Sequence, residues 1–442
     1  MVEGVLIEAR LGRRRLLPQV PVRWRIFAFL FAFGFLAYLQ AKTITVAAER
    51  MMPELGLSHD EIGWLEQAFV WGYALCQMPG GILGQRLGGR RTLVLISLAA
   101  FAATVAMPLA PYLFKGRVLF AALYGAQLLL GCSQGALFPL SAGLFESWFP
   151  PSRWSLVQGL QTMGLGLGAA LTPPLITHLT LALGWQSAIL WSSLPALALI
   201  AAWAWYGRNT PREHPAVTPA ELELIGSQPA SDAHIRLREL FGLLRDRNVV
   251  LLFISYMSMN YTFYMLSNWV FLYLVEERHF SALESGWLAT APPLAAALGA
   301  GIGGYVTGLA IARLGNERGY RLVPLIAMPG AALLLLLVIH TGNAYVALAA
   351  LAACFGAVEL TEGAFWGAGM NVGQADTMAV TGFMNTGGNF GGIIALPIVA
   401  HLAGRHEWNS AFMIGVGFAL VSALTWLAIR VSEPERHAGR AA

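Results

Sequence analysis

Charge is what this chain has least of: 12% of its 442 residues are Asp, Glu, Lys or Arg, against 57% that are hydrophobic. Soluble domains carry about 25% charged residues, so a large soluble globule with a charged coat is excluded. Cysteine is nearly as scarce, with Cys76, Cys132 and Cys354 far apart in sequence. No disulfide or zinc site is expected from them, and they read as small apolar packing residues. The chain shows no metalloprotease helix, nucleophile elbow, Walker loop or zinc-ligand spacing, so neither enzyme chemistry nor a resident metal or cofactor is expected. Gly164-Leu165-Gly166-Leu167-Gly168 imitates a nucleotide loop, but it lies inside an apolar span with no strand before it and so lacks the required context. Residues 1–22 hold four arginines without an apolar run ending in a small-residue cleavage site, so no removable signal peptide is expected.

What the chain has instead is apolar length, with a mean hydropathy of +0.60. Twelve stretches, near 24–45, 62–84, 92–111, 118–140, 155–176, 186–206, 249–274, 286–311, 322–341, 345–368, 378–402 and 409–430, are poor in charge. Each is close to the ~20 residues a helix needs to cross a bilayer. Spans of a β-barrel would be about half as long and alternating. An all-α integral membrane protein with 12 transmembrane helices follows. The chain also repeats at a fixed offset of 223 residues, the step from Gly63-Trp64-Leu65 to Gly286-Trp287-Leu288. The pairs Gly80/Gly303, Gly81/Gly304, Arg90/Arg313, Gly159/Gly382, Gly164/Gly387, Gly168/Gly391, Pro174/Pro397, His178/His401, Trp185/Trp408 and Ser187/Ser410 keep the same offset. Two six-helix halves related by two-fold pseudosymmetry are expected, the design in which halves rock about a midplane site.

Arginine and lysine set the expected orientation. The loops on one side hold 22 of the 28 basic residues, among them Arg23, Arg86, Arg90, Arg91, Arg153, Arg208, Arg247, Arg313 and Arg430. The remaining six are Lys42, Arg50, Lys115, Arg117, Arg278 and Arg405. By the positive-inside rule both termini and the central loop are cytoplasmic, which places the chain as a multi-pass protein of a cell, or inner, membrane. This bias accounts for the basic balance, so no nucleic-acid partner is implied. The expected organisation is a tail at 1–22, a bundle at 23–206, a linker at 207–248, a second bundle at 249–430 and a tail at 431–442. The linker opens with Pro211, Pro215 and Pro219, and its stretch 231–245 spaces apolar residues as an interfacial helix would, with arginines between them.

One segment carries a resemblance. Gly80-Gly81-Ile82-Leu83-Gly84-Gln85-Arg86-Leu87-Gly88-Gly89-Arg90-Arg91 resembles the signature loop between helices 2 and 3 of the major facilitator superfamily. Further stretches are similar to its anion:cation symporter branch, which carries organic anions such as sugar acids. They include Gly72-Tyr73-Ala74-Leu75-Cys76-Gln77-Met78-Pro79, Phe138-Pro139, Trp148-Phe149-Pro150, Asn268-Trp269 and Asn385-Thr386-Gly387-Gly388-Asn389-Phe390-Gly391-Gly392. The resemblance implies the major facilitator fold and transport by alternating access. It also implies substrate contacts at Trp366, Asn385 and Asn389, and gating roles for Gln85, Arg86, Arg90, Arg91 and Arg153. The departures bear on mechanism. Where branch members show Tyr-x-Asp-Arg in helix 1, this chain has Tyr38-Leu39-Gln40-Ala41, then Lys42. The helix 4 arginine and glutamate become Gln127 and Gln134, and the signature aspartate becomes Gln85. Glutamine keeps the hydrogen-bonding capacity of glutamate but does not titrate near neutral pH.

The charges that remain inside the spans are candidate site residues, because a mid-bilayer charge costs roughly 2.5–3.5 kcal/mol even on the lenient insertion scale. Lys42 is either an anion-binding cation or a residue snorkelling to the outer interface. Glu359 and Glu362, one turn apart in helix 10, suit coupling or substrate contact, or else a structural pairing with Lys42. Glu66 reads as an interface residue, while Glu146, Arg153 and Asp376 at helix ends suit gate ion pairs and solvated charges equally. Tyr256, Asn260 and Tyr264 share a face of helix 7, Tyr38 shares one with Lys42, and Gln127 shares one with Gln134. With Trp366, Asn385 and Asn389, these seven make ten candidate substrate contacts, or interhelical hydrogen bonds that glue the bundle. Gly164/Gly168 and Gly387/Gly391 form GxxxG pairs that let helices approach closely. Pro139, Pro173, Pro174, Pro292, Pro293 and Pro397 are expected to kink or weaken their helices. The expected partners are a small-molecule substrate and the lipid bilayer, with a co-transported proton or an exchanged anion, for a monomeric carrier. The leading function is a carrier of a small organic anion or polar metabolite. The alternatives are an efflux carrier for apolar or cationic compounds and a non-transporting receptor on the same fold.

Overall fold

The computed structural model describes residues 20–226, 242, 245–280, 288 and 290–431. The first tail's four arginines, most of the 231–245 stretch, Gly286-Trp287, Arg436 and Arg440 lie outside the described residues. Twelve long helices are present. The first half holds α1 (Val22–Leu55), α2 (His59–Leu87), α3 (Gly89–Leu113), α4 (Gly116–Trp148), α5 (Trp154–Leu183) and α6 (Trp185–Tyr206). The second holds α7 (Arg247–Glu276), α8 (Ala291–Leu314), α9 (Asn316–His340), α10 (Ala344–Gly373), α11 (Thr377–Ala403) and α12 (Trp408–Trp426).

Eleven of these are apolar enough to span a membrane on their own composition. The exception is α2, whose first turn carries Asp60 and Glu61 behind the Ser58 capping box. Its ends are set by local chemistry: Ser58 Oγ accepts from the Glu61 amide, and Gly88, at φ 82°, turns the chain into α3. Asp246 and Asn343 cap α7 and α10 in the same way, each accepting two backbone N–H bonds on one side-chain oxygen. Leu294, Leu298, Ile302, Tyr305 and Leu309 form an exposed apolar stripe down α8, a face that a hydrocarbon solvent covers without cost.

The two halves are built alike. α1 packs on α5, α2 on α4 and α3 on α6; α7 packs on α11, α8 on α10 and α9 on α12. A Cβ at Gly168 would stand 2.4 Å from the Phe35 carbonyl, and one at Gly391 would stand 2.3 Å from that of Met257. Both GxxxG faces therefore meet backbone directly. The paired tryptophans, Trp185 and Trp408, are buried at the starts of α6 and α12. The prolines divide: Pro173, Pro174 and Pro397 stay inside helices, whereas Pro292 and Pro293 occupy the first turn of α8, where a missing N–H costs nothing.

Two helices are interrupted. α4 consists of Gly116–Gly135 and Leu137–Trp148, and α10 of Ala344–Glu359 and Glu362–Gly373. Pro139 follows the first interruption and removes a donor from that turn. The second has no proline; Gly303 of α8 lies against the Leu360 carbonyl, and the Thr361 hydroxyl bonds the Val358 carbonyl at 2.7 Å.

The halves meet through α2 with α11 and α5 with α8, joined by the second pieces of α4 and α10. Glycine brings these backbones together. A Cβ on Gly81 would fall 2.3 Å from the Met378 carbonyl, and one on Gly304 would fall 2.4 Å from that of Ser155. Gly159 faces the Ala300 carbonyl and Gly382 that of Gln77. Each contact maps onto its partner by the 223-residue shift. All lie toward the end of the bundle that carries the termini, so the bundle is closed there.

The start of the linker folds back on the first half. Glu221, in the short helix Pro219–Ile225, accepts from the amides of Val22 (3.2 Å) and Arg23 (3.0 Å) and so caps α1. His214 packs its ring 4.6 Å from that of Tyr206, and its Nδ1 accepts from the Ala216 amide. Burial, with the Arg208 guanidinium nearby, holds His214 below the ordinary histidine range.

Side chains forced into the inter-half contact should open it. Gly81→Val and Gly304→Val are each expected to cost about 1–3 kcal/mol in thermal unfolding, as overpacked sites do. Each should also raise alkylation of a cysteine introduced at Met378. Unchanged stability and labelling would show that the contact is not tight.

Candidate functional site

Between the halves, at the level of the two helix interruptions, lies a cleft of about 500 Å³ of non-atom space counted to its open mouth. Tyr38 of α1, Tyr73 of α2, Phe138 of α4, and Thr162 and Leu165 of α5 line it from the first half. The second half supplies Tyr256, Asn260, Phe263 and Tyr264 of α7, Glu359, Glu362 and Trp366 of α10, and Asn385 and Asn389 of α11.

The second-half wall is hydrogen-bonded into place. The Tyr256 hydroxyl donates to Glu362 at 2.9 Å (Oε1) and 3.2 Å (Oε2), and Trp366 Nε1 donates to Oε2 at 2.7 Å. The Tyr264 hydroxyl donates to Asn389 Oδ1 at 3.0 Å. Asn260 and Asn389 each donate to the carbonyl four residues earlier, at 3.0 Å. These contacts depend on the glycines of α11. A Cβ at Gly388 would come within 2.8 Å of the Tyr256 ring, and one at Gly392 within 2.6 Å of the Tyr264 ring. Trp366 packs beside Phe138 of the other half, ring centres 5.4 Å apart and the rings tilted by 42°.

The cleft thus gathers nine of the sequence candidates: Tyr38, Tyr256, Asn260, Tyr264, Glu359, Glu362, Trp366, Asn385 and Asn389. Lys42 stands one turn along α1 from Tyr38, is exposed, and is not on the wall. Gln127 and Gln134 require a correction, because neither lies on the wall. Seven residues apart, they share a face of α4, and that face turns into the first half. Gln134 Nε2 donates to Gln40 Oε1 at 3.2 Å, and Gln127 is 1% exposed. Arg90 is corrected too: its guanidinium binds the Ala204 carbonyl and its amide bonds Asn209 Oδ1 at 2.8 Å, so it braces α3 within one half and does not bridge two. Arg86, Arg91 and Arg153 are exposed at their helix ends, and Gln85 is half-buried on α2. Sequence reasoning missed Tyr73, Phe138, Thr162, Leu165 and Phe263 as lining residues. The one available signal was Tyr73, a hydroxyl in the middle of an otherwise apolar run.

Electrostatically the wall is lopsided. Among the described residues it carries two carboxylates, both from α10, and no Lys, Arg or His. Tyrosine hydroxyls and asparagine amides supply the remaining polar groups. Such a surface can hydrogen-bond a small polar molecule from several sides and hold one fixed negative charge.

A two-fold pseudosymmetric bundle of twelve spans around a half-open midplane cleft has the architecture of a secondary transporter. Residues 30–377 match the sequence profile described as the Major Facilitator Superfamily, and the chain belongs to that superfamily of transporters. It is 27% identical to the probable sulfoacetate transporter SauU of Cupriavidus necator, over 95% of this chain and 98% of that one. It is 26% identical to the D-galactonate transporter of Escherichia coli, over 95% and 96%. Among solved structures, the E. coli fucose:proton symporter FucP superposes with a TM-score of 0.69 at 18% identity, covering 93% of this chain and all (100%) of that one.

The bonds to Glu362 should be measurable. Hydrogen bonds to charged groups contribute about 1.5–3 kcal/mol, so Tyr256→Phe is expected to lower unfolding stability by that order. Its cost should shrink in a Glu362→Gln background. Strict additivity of the two substitutions in a double-mutant cycle would show that no such bond operates.

Proposed function

We propose that this protein carries a small organic anion, or another small polar metabolite, across a bacterial inner membrane by alternating access. The termini would be cytoplasmic and the carrier monomeric. The carrying observation is the cleft: it lies between the two halves and is closed by glycine-mediated contact at the end bearing the termini, which leaves the other end as its entrance. With the termini inside, this is an outward-facing state. Substrate enters past Lys42, whose exposed ammonium at the mouth raises the local concentration of anions. It is then met by the hydroxyls of Tyr38, Tyr73 and Tyr264 and the amides of Asn260, Asn385 and Asn389. Rocking of the halves about the α2/α11 and α5/α8 contacts would turn the cleft to the other side.

The anion assignment draws its support from relatives named for sulfoacetate and galactonate. One observation favours a second reading, a cationic or neutral cargo: the wall carries Glu359 and Glu362 without a cation beside them. The two readings separate in a thermal-shift screen of the full-length protein with D-galactonate, sulfoacetate, neutral sugars and lipophilic cations. A ligand at 100 times its Kd stabilises the folded state by about 2.7 kcal/mol. An organic acid is expected to raise the midpoint, with the shift reduced in Lys42→Ala. A shift with cations alone would overturn the anion assignment and establish the second reading.

A further inference from the structure

The first half brings nothing to the cleft that titrates near neutral pH. Its wall is Tyr38, Tyr73, Phe138, Thr162 and Leu165. Behind that wall, Gln40 and Gln134 are each 5% exposed and bonded to each other, a pair of amides that can neither gain nor lose a proton. Any acid–base chemistry of the cleft therefore falls to α10, where the two carboxylates are not equivalent. Three donor contacts from Tyr256 and Trp366 converge on Glu362 and no acceptor does, which is the setting of a carboxylate. Glu359 lies one turn back, across the interruption of the helix, on the cleft wall at 5% exposure. Among the described residues it receives no hydrogen bond. A second negative charge beside Glu362, with no donor and little water, is what this site cannot hold.

From this geometry we propose that Glu359 is the group that binds and releases a proton during the transport cycle, with Glu362 as the fixed charge that positions it. The inference rests on the cleft being the transport site. The groups facing Glu359 are few. Glu362 shares its helix; Tyr38 comes from α1, with Lys42 a turn outward, and Tyr73 from α2, with Glu66 further out. Tyr256 and Tyr264 come from α7. α4, α5 and α11 present no titratable side chain to the cleft. Behind α10, α9 contributes Tyr320, which lies near Gly367. Arg313 of α8 and Glu317, Arg318 and Arg321 of α9 lie at the end bearing the termini. In the step itself the Glu359 O–H bond breaks, its electron pair stays on the carboxylate and the proton passes to cleft water; the reverse step reloads it. Substrate that offers Glu359 a donor favours release, and an empty cleft favours reloading.

The test is an infrared difference titration of the full-length protein in liposomes, read in the carbonyl band of protonated carboxyl groups and needing no substrate. The wild type is expected to show a buried acid that titrates reversibly; Glu359→Gln removes that band and Glu359→Asp keeps it at a shifted frequency. A band that survives Glu359→Gln, or no titrating buried acid in the wild type, overturns the proposal. D-galactonate then serves as the transport probe, comparing uptake driven by a pH gradient with counterflow. Glu359→Gln should abolish the gradient-driven component, and its survival also overturns the proposal. If wild-type liposomes do not exchange galactonate, it is the anion reading that fails for this probe, while the infrared titration still decides the role of Glu359.

Discussion

Much about the working state of this molecule follows from one constraint: toward the end that carries the termini, the two halves touch backbone to backbone through glycine. Gly81 against Met378, Gly304 against Ser155, Gly159 against Ala300 and Gly382 against Gln77 leave no room for a methyl group. Contacts this close are dispersion-dominated and steep with distance. They favour a definite packed arrangement over a continuum of partial openings. Because they occur in pairs related by the repeat, the axis between the pairs is the natural axis of rocking.

The symmetry of the backbone does not extend to the chemistry. The first half spends its buried polar groups on its own cohesion: Gln134 on Gln40, Gln161 on Ser141 at 2.7 Å, Arg90 on the end of α6, and Glu221 on the start of α1. The second half turns its polar groups toward the cleft. The glycines of α11 make this possible, since they let the tyrosines of α7 reach Glu362 and Asn389 without pushing the helices apart. A wall of hydroxyls and amides is tolerant of substrate shape, and the carboxylates of α10 then become the main source of electrostatic discrimination within it.

Much of this was legible in the sequence. The repeat pointed to two halves and paired Gly81 with Gly304 and Gly159 with Gly382, but that these glycines lie where the halves meet is visible only in the structure. Glu359 and Glu362 were legible because a carboxylate inside an apolar helix has few places to go. Gln127 and Gln134 were misassigned because helical spacing tells which residues share a face but not which way that face points. Arg90, expected at a gate, bonds the Ala204 carbonyl and Asn209 of its own half; a basic residue at a helix end can serve a carboxylate across an interface or a carbonyl at home, and nothing local decides between them. The interruption of α10 left no proline to announce it, and the glycine that lies against it, Gly303, is on another helix, which no local pattern in α10 reports.

That interruption ties the charged pair to the gate. Glu359 ends the first piece of α10 and Glu362 begins the second, so the distance between the carboxylates depends on the angle between two separately packed rods. The first rod stays within its own half, against α8. The second is threaded into the inter-half contact: a Cβ at Gly363 would fall 2.5 Å from Gly304 Cα and 2.8 Å from the Ser155 carbonyl, and Gly367 lies against the Ser155 hydroxyl. Parting the halves at that end must release the second rod from α5, and a released rod is free to change its angle to the first. Conversely, a change in repulsion between the carboxylates acts as a torque on the rod that holds the halves together. If Glu359 changes its charge as proposed, a short, continuous piece of backbone links charge in the cleft to closure of the far end. The first half, with its neutral Gln40–Gln134 bond across α1 and α4, can remain a rigid reference against which that movement works.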